Sequence, residues 1–267
     1  MRIWVMLVLV ILMAGCGQRK VVSSEDFVKT VETPASEKPT SPPKWAWSYQ
    51  GEGGPESWAT LNPEYAMCAT GKAQSPVNLK WSAPQKPSPL KIMFRPTDAT
   101  VANTGTTLRL EFTPQSQVVY SGQEYILEKA EFRSPSEHRL SGKKLPMEIQ
   151  FYHRSPNGLR QAILSMFVVK GKESSWFNGF LASAAQTPVN QSGASQRMAL
   201  EKLIPNRQTF YHYQGSLTHP PCLEGVDWFV LNTPLQLSAR QIAGFKALYQ
   251  NNNRPLQKLN GRSIKNY

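Results

Sequence analysis

The sequence predicts a mixed β/α domain that is mainly β, and two local patterns support this fold class. Five short runs combine β-branched and aromatic residues, which is typical of strands; they cover residues 90–94, 107–112, 124–132, 147–153 and 162–169. In the second run, Arg109 and Glu111 alternate with apolar neighbours, as they would on a half-buried strand. Two further stretches indicate helices, so strands are expected to dominate.

The first predicted helix covers residues 175–185. The second begins at Ser238, where Ser-Ala-Arg-Gln forms a capping box, and runs to about residue 249. Two aromatic clusters are interpreted as packing residues rather than as platforms for a ligand: Trp45, Trp47 and Tyr49, and Phe210, Tyr211 and Tyr213.

Three parts follow one another along the chain. Residues 1–16 are predicted to be an export signal, residues 17–44 a flexible tether and residues 45–267 a globular domain. The tether is polar and rich in Pro and Ser, so it cannot bury enough apolar surface to fold alone. The remaining stretch of about 220 residues is long enough for one domain with a sizeable core.

The amino terminus has the pattern of an exported lipoprotein. Arg2 precedes an apolar run over residues 3–13, and Ala14-Gly15 stand before Cys16. The run is too short for a membrane span and ends in small residues, which is typical of a cleaved signal. It resembles a bacterial lipoprotein signal, in which Cys16 is acylated and several acyl chains hold the protein on the lipid bilayer. An ordinary secretion signal or an uncleaved anchor is the alternative.

The residue after Cys16 indicates the membrane to which the protein is sorted, and the net charge of the chain indicates which partners it can bind. Gly17 follows Cys16, and a residue other than Asp there favours the outer membrane, facing the periplasm or the cell surface. The chain has 30 basic and 18 acidic residues, a formal charge of +12, which favours acidic partners. The basic residues are scattered and no recognition motif is present, so nucleic acid is not expected. An envelope protein or an acidic glycan is the candidate partner besides the bilayer.

Five segments together carry a family resemblance. They are Trp58, residues 74–79 (Gln-Ser-Pro-Val-Asn-Leu), residues 131–138, residues 147–153 and residues 215–221 (Gly-Ser-Leu-Thr-His-Pro-Pro). In this combination the chain resembles the α-type carbonic anhydrases. The resemblance implies an α-carbonic anhydrase fold, with a central twisted and mostly antiparallel sheet flanked by short helices and long loops.

The resemblance also points to the residues of a zinc site. In the family, two His of the first strand and the first His of the second strand hold the metal. The corresponding positions here carry Glu131, Arg133 and Gln150, and none is a histidine. Arg133 has no acceptor atom, so we expect no metal and no cofactor. The alternative is an atypical ligand set that includes others of the four histidines, which are His138, His153, His212 and His219.

The three residues at the zinc-ligand positions are predicted to contact one another. Arg133 beside Glu131 predicts an ion pair, with hydrogen bonds supplied by Gln150. The favoured interpretation is that these side chains only fill the former metal site and do not form a new active site. A buried charge pair is retained only with good geometry and extra hydrogen bonds, which such a filled site would supply. The sharper hypothesis is that Arg133 binds a small anion at the base of the cleft.

Among the other functional positions of the family, the proton shuttle is lost here and two hydrogen-bonding residues are retained. The proton-shuttle position corresponds to Thr106, which cannot relay protons near neutral pH. Thr218 and Glu137, which orient the zinc-bound hydroxide in the family, are retained here as a hydrogen-bonding pair. The resemblance further implies a disulfide between Cys68 and Cys222, which an exported protein would keep oxidised.

Three functions remain open from the sequence. The first is a membrane-anchored pseudoenzyme, related to carbonic anhydrase but without zinc or hydratase activity, that acts as a binding or scaffold module in the cell envelope. The second is an active zinc-dependent carbonic anhydrase with an atypical ligand set. The third is a different enzyme that uses Glu131, Arg133 and Thr218 on another small substrate.

Overall fold

The computed structural model describes residues 46–80, 83, 89–206 and 208–267. The predicted signal, the predicted acylation site Cys16, the predicted tether over residues 17–44 and Trp45 lie outside the described residues. None of the helices in the described part of the chain is long and apolar enough to cross a membrane.

Strands make up most of the regular structure. In chain order they are β1 (Asn78–Leu79), β2 (Leu90–Met93), β3 (Thr97–Asn103), β4 (Leu108–Phe112), β5 (Gln117–Tyr120), β6 (Gln123–Arg133), β7 (Arg139–Leu140), β8 (Met147–Arg154), β9 (Gln161–Lys170), β10 (Gln191–Met198), β11 (Phe210–Ser216), β12 (Glu224–Leu237) and β13 (Lys265–Asn266). All five predicted strands are present, and the mainly β fold class is confirmed.

One large sheet organises these strands. Its order is β10-β3-β4-β6-β8-β9-β12-β11-β13, and a ribbon of β2 and β5 is attached through β6. Strands β9 and β12 pair in parallel, whereas β6 and β8 and the other described neighbours in this sheet pair antiparallel. The expected mostly antiparallel sheet is therefore confirmed. The short strands β1 and β7 form a separate parallel pair.

Both faces of the sheet are covered, and this explains the apolar runs of its central strands. One face packs with the helices, through residues such as Phe132, Phe151 and Phe180. The other face forms a second core that includes Tyr213 and Trp228. A strand buried on both faces has no polar side, so β9 is almost continuously buried rather than alternating.

Four α-helices lie among the described residues: α1 (Trp58–Leu61), α2 (Met67–Thr70), α3 (Ser175–Gln186) and α4 (Ala239–Leu248). Helices α3 and α4 confirm the two predicted helices. The capping box before α4 is also confirmed, because Ser238 Oγ accepts from the backbone N–H of Gln241 and Gln241 Oε1 accepts from that of Ser238.

The disulfide between Cys68 and Cys222 is present, as the family resemblance implied. It joins α2 to the loop between β11 and β12 and lies in a small core with Tyr49 and Trp58. The bond thereby attaches the first described segment of the domain to the central sheet.

Candidate functional site

Strands β6 and β8 place polar residues side by side. In their antiparallel register Glu131 lies opposite Gln150, and Arg133 lies opposite Glu148. Alternate residues of a strand point to the same face, so Glu131 and Arg133 share a face while Phe132 between them packs in the helix-covered core. The fold therefore brings the three predicted positions together.

Arg133 is fully buried at the centre of this polar cluster. Its Nη2 donates to Glu131 Oε2 at 2.7 Å, and its Nε lies 3.5 Å from Glu137 Oε2. The guanidinium also lies over the ring of Tyr49, 5.4 Å from the ring centroid, and donates weakly to Tyr152 Oη at 3.4 Å. The predicted ion pair of Glu131 and Arg133 is thus present, and the two tyrosines are partners that the sequence did not reveal.

Glu131 is contacted by three cationic side chains. Its Oε1 accepts from Arg109 Nη2 at 3.0 Å and from Lys129 Nζ at 2.9 Å, while Arg133 occupies Oε2. Burial alone would raise the pKa of Glu131, but Lys129, Arg133 and Arg109 together hold it well below its usual range. Glu131 is therefore a carboxylate whose two oxygen atoms are already engaged.

Gln150 was predicted to supply hydrogen bonds to the ion pair of Glu131 and Arg133. The structure corrects this prediction, because Gln150 bonds to other residues. Gln150 Nε2 donates to Glu137 Oε2 at 2.7 Å and to Glu148 Oε1 at 3.2 Å. Its Oε1 accepts from Tyr152 Oη at 3.0 Å. The physical reason is that both oxygens of Glu131 are already engaged by Arg109, Lys129 and Arg133, so the amide of Gln150 donates to oxygens of Glu137 and Glu148 instead.

Two further buried carboxyl groups, those of Glu148 and Glu137, belong to the same polar cluster. Burial opposes the charge of Glu148, but His138 lies 2.8 Å away and lowers the pKa of Glu148 to about 2. Burial raises the pKa of Glu137, against the opposing charge of Arg133. Thr218 is fully buried and its hydroxyl acts to lower the pKa of Glu137, although Oγ1 has no hydrogen-bond partner of standard geometry among the described residues.

A cleft of about 370 Å³ opens over Glu131 and is lined also by Thr106, Trp47 and His219. The predicted shuttle position, Thr106, is thus at the cleft. The ring of His219 stacks on Trp47 with centroids 5.8 Å apart, and its Nδ1 lies 2.8 Å from the carbonyl oxygen of Pro220. Because a carbonyl only accepts, Nδ1 carries the proton and Nε2 is left with a lone pair.

Few of these residues could hold a metal ion. Across the residues that the structure describes, no group of three or more His, Cys, Asp or Glu side chains is placed to do so. Glu131 is the one ordinary metal ligand among the three predicted positions.

The sequence profile of the eukaryotic-type carbonic anhydrase family matches residues 53–267. This chain belongs to the carbonic anhydrase family. The matched residues include the paired strands β6 and β8, and Thr106, Glu131 and His219 of the cleft lining.

Individual relatives agree with this membership. A carbonic anhydrase of Klebsiella pneumoniae is 37% identical over 221 residues, which cover 82% of this chain and 89% of the relative. The solved structure of α-carbonic anhydrase from Thermovibrio ammonificans with the inhibitor sulfanilamide is 34% identical, with a TM-score of 0.75, covering 82% of this chain and 98% of that one. Dioscorin, solved in complex with ascorbate, is 29% identical with a TM-score of 0.76, covering 83% and 98%.

Within this carbonic anhydrase fold, the sequence identified the two strands of the site but missed part of its lining. Lys129 was detectable, because it lies two residues before Glu131 and therefore on the same face of β6. Tyr49 was not, since it belongs to a segment far away in sequence that only the fold brings to Arg133.

Proposed function

We propose that this member of the carbonic anhydrase family binds no zinc, lacks hydratase activity and acts as a membrane-anchored binding or scaffold module in the cell envelope. The observation that carries the proposal is the buried guanidinium of Arg133, 2.7 Å from Glu131 and 3.5 Å from Glu137. The family resemblance assigns the zinc-ligand positions to Glu131, Arg133 and Gln150.

These three side chains do not fit a catalytic zinc site. Such a site takes three His, or two His and a carboxylate, together with an open position for water. Arg133 has only donors and no acceptor atom. The oxygen of Gln150 already accepts from Tyr152, and the oxygens of Glu131 accept from three cations.

Electrostatic repulsion adds to the poor fit. Two unit charges about 4 Å apart interact by about 4 kcal/mol at an effective dielectric constant of about 20. The charge of Arg133 alone would therefore oppose a divalent ion at that distance by about 8 kcal/mol. The carboxylates of Glu131 and Glu137 offset part of this repulsion, although Lys129 and Arg109 also contact Glu131. Structural zinc sites bind with about 10–16 kcal/mol, so the repulsion that remains reduces the available binding free energy.

The anchoring half of the proposal is supported by sequence pattern. The apolar run ending at Cys16 has the form of a lipoprotein signal, and residues 17–44 have the composition of a flexible tether. The formal charge of +12 favours an acidic partner at the envelope, such as an acidic glycan or an acidic protein surface.

A second candidate function is carbon dioxide hydration by an atypical zinc site. It is favoured by the names of the relatives, of which several bacterial ones at 34–37% identity are called carbonic anhydrase. Such a site would have to use Glu131 and His219, which line the same cleft.

Zinc content and hydration rate separate the two candidates. After exposure to excess zinc and removal of unbound metal, we expect the wild-type protein to contain no stoichiometric zinc and to hydrate carbon dioxide at the uncatalysed rate. The variant Glu131→His/Arg133→His/Gln150→His restores three imidazoles and is the matched control; it is expected to retain stoichiometric zinc. Stoichiometric zinc and catalysed hydration in the wild-type protein would contradict the proposal.

Acylation tests the anchor. In bacteria that express the full chain, labelled palmitate is expected to enter the wild-type protein and to be absent from a Cys16→Ser variant. The variant should also leave the membrane fraction, because the acyl chains supply the attachment. Equal labelling of both proteins would contradict the assignment of Cys16.

A further inference from the structure

Basic side chains that are scattered along the sequence are gathered by the fold on one face of the domain. Three segments, residues 72–80, 139–145 and 257–264, each place apolar side chains against the second core, which includes Trp228. Together they contain no Asp or Glu. Their basic residues, which define what we call the basic face, are Lys72, Lys80, Arg139, Lys143, Lys144, Lys258 and Arg262.

Hydrogen bonds hold the three segments side by side. Strand β1 of the first segment pairs in parallel with β7 of the second. The backbone N–H of Gln257 donates to the carbonyl oxygen of Pro76 at 2.7 Å. Farther along, Asn260 Nδ2 donates to the carbonyl oxygen of Lys72 at 2.8 Å. The first segment thus contacts both of the others, so the seven cations belong to one continuous surface.

The cations of this face lack partners within the domain. Among the described residues, none of the seven forms an ion pair with a carboxylate. All five lysines are exposed. Arg139 Nε is buried and has no hydrogen-bond partner in the described part of the chain. Burial and the nearby charge of Arg139 lower the pKa of Lys144, which is consistent with crowding of like charges.

Two carboxylates lie near the face, and neither neutralises it. Glu224 Oε1 accepts from the backbone N–H of Ala73 at 2.6 Å and offsets one positive charge at the margin. Glu137 also acts on Lys144, but it is fully buried and lies 3.5 Å from Arg133. Seven cations against Glu224 leave an excess of six positive charges. A surface with such an excess attracts a partner that carries many negative charges.

An exposed turn adds an apolar side chain to the basic face. Asn260 and Gly261 have positive φ, 50° and 78°. The backbone N–H of Arg262 donates to the carbonyl oxygen of Leu259 at 3.1 Å, so residues 259–262 form a tight turn. Leu259 is 36% exposed on this turn and follows Lys258. An apolar side chain beside cations suits the boundary between lipid head groups and acyl chains.

We propose that the basic face is the surface by which the domain lies on an anionic phospholipid bilayer, with its lysines at the phosphate groups and Leu259 at the acyl boundary. The inference rests on the anchoring half of the proposed function, because acyl chains on Cys16 would hold the face near the bilayer at a high effective concentration. None of the seven cations lines the cleft over Glu131, so the bilayer surface is distinct from the cleft.

Vesicles test the basic face without the anchor. The chain of residues 17–267 lacks the predicted signal and acylation site, and it keeps the whole compact unit Pro42–Tyr267. We expect this chain to sediment with vesicles made of equal parts of phosphatidylcholine and phosphatidylglycerol, and to stay in solution with vesicles of phosphatidylcholine alone. Binding should weaken as salt is added, because salt screens the attraction between the face and the lipid phosphates.

Variants of the same chain locate the binding surface. Lys143→Gln/Lys144→Gln removes two cations of the basic face and should weaken vesicle binding by about tenfold or more. Leu259→Ser should weaken it by about threefold, because an apolar contact with the acyl chains is lost. The matched control is Arg240→Gln/Lys246→Gln, which removes the same charge from exposed positions of α4, on the opposite face of the sheet. It should bind vesicles as the wild-type chain does.

Three results would overturn the bilayer surface. The first is a wild-type chain that does not respond to phosphatidylglycerol. The second is a control variant that loses as much binding as Lys143→Gln/Lys144→Gln, which would indicate a response to net charge alone. The third uses dextran sulfate as a soluble polyanion. Tighter binding to dextran sulfate than to the vesicles, with Leu259→Ser bound to vesicles like the wild type, would assign the basic face to an acidic glycan.

Palmitate labelling of the full chain keeps these outcomes distinct from those of the proposed function. A labelled protein whose residues 17–267 do not bind the vesicles loses the bilayer surface alone. Vesicle binding by residues 17–267 of a protein that takes up no label contradicts the anchor and still supports the basic face.

Discussion

Replacing Arg133 by Met is expected to lower the free energy of unfolding by about 3–5 kcal/mol. Met fills a similar volume, so the change mainly removes the charge. Glu137 then loses the cation that lies 3.5 Å away, and Glu131 loses the donor at 2.7 Å. Both carboxyls are buried, and a buried charge without its partner is costly. Chemical denaturation near neutral pH measures the loss.

Two further variants make this result specific. Arg109→Met removes another cation bound to Glu131, but the Arg109 side chain is 29% exposed, so we expect a cost of at most about 1 kcal/mol. Arg133→Met combined with Glu137→Gln should recover a large part of the lost stability, because the uncompensated carboxylate is gone. If Arg133→Met alone is as stable as the wild-type protein, charge pairing does not hold this cluster.

The core of the site was predictable from two short strand patterns. Period-two alternation placed Glu131 and Arg133 on one face, and the second run placed Gln150 on a neighbouring strand. The hydrogen bonds of Gln150 were not predictable, because they depend on which of several buried carboxylates lies nearest. That choice is set by the turn that carries Glu137 and by the register of β8, neither of which has a local sequence signal.

Elements of the fold were predictable where the sequence itself carries a clear helix-capping or strand pattern. The capping box at Ser238 predicted the start of α4, and five strands with β-branched and aromatic residues were recognised. Strands β11 and β12 have the same character and were not predicted. Strand β10 was missed because its sequence is polar and rich in Ser and Gln. Its backbone pairs with β3 at an edge of the sheet, so tertiary context rather than propensity makes it a strand.

Breaking the disulfide of Cys68 and Cys222 is expected to cost about 5 kcal/mol of unfolding free energy. The bond joins residues 154 positions apart, and a long closed loop restricts the unfolded chain most. Denaturation of a Cys68→Ala/Cys222→Ala variant, compared with the wild-type protein under oxidising conditions, measures the effect.

Reduction of the wild-type protein by a thiol reductant is the control, because it opens the bond without creating a cavity at Cys222. Agreement between the reduced protein and the double variant assigns the loss to the bond. The same change should loosen the site, since the disulfide lies in one small core with Tyr49, whose ring covers Arg133. Hydrogen exchange in the segment that carries Tyr49 is therefore expected to quicken more than exchange in β6 and β8. Uniform quickening, or a loss of stability below about 1 kcal/mol, would show that packing alone fixes this segment on the sheet.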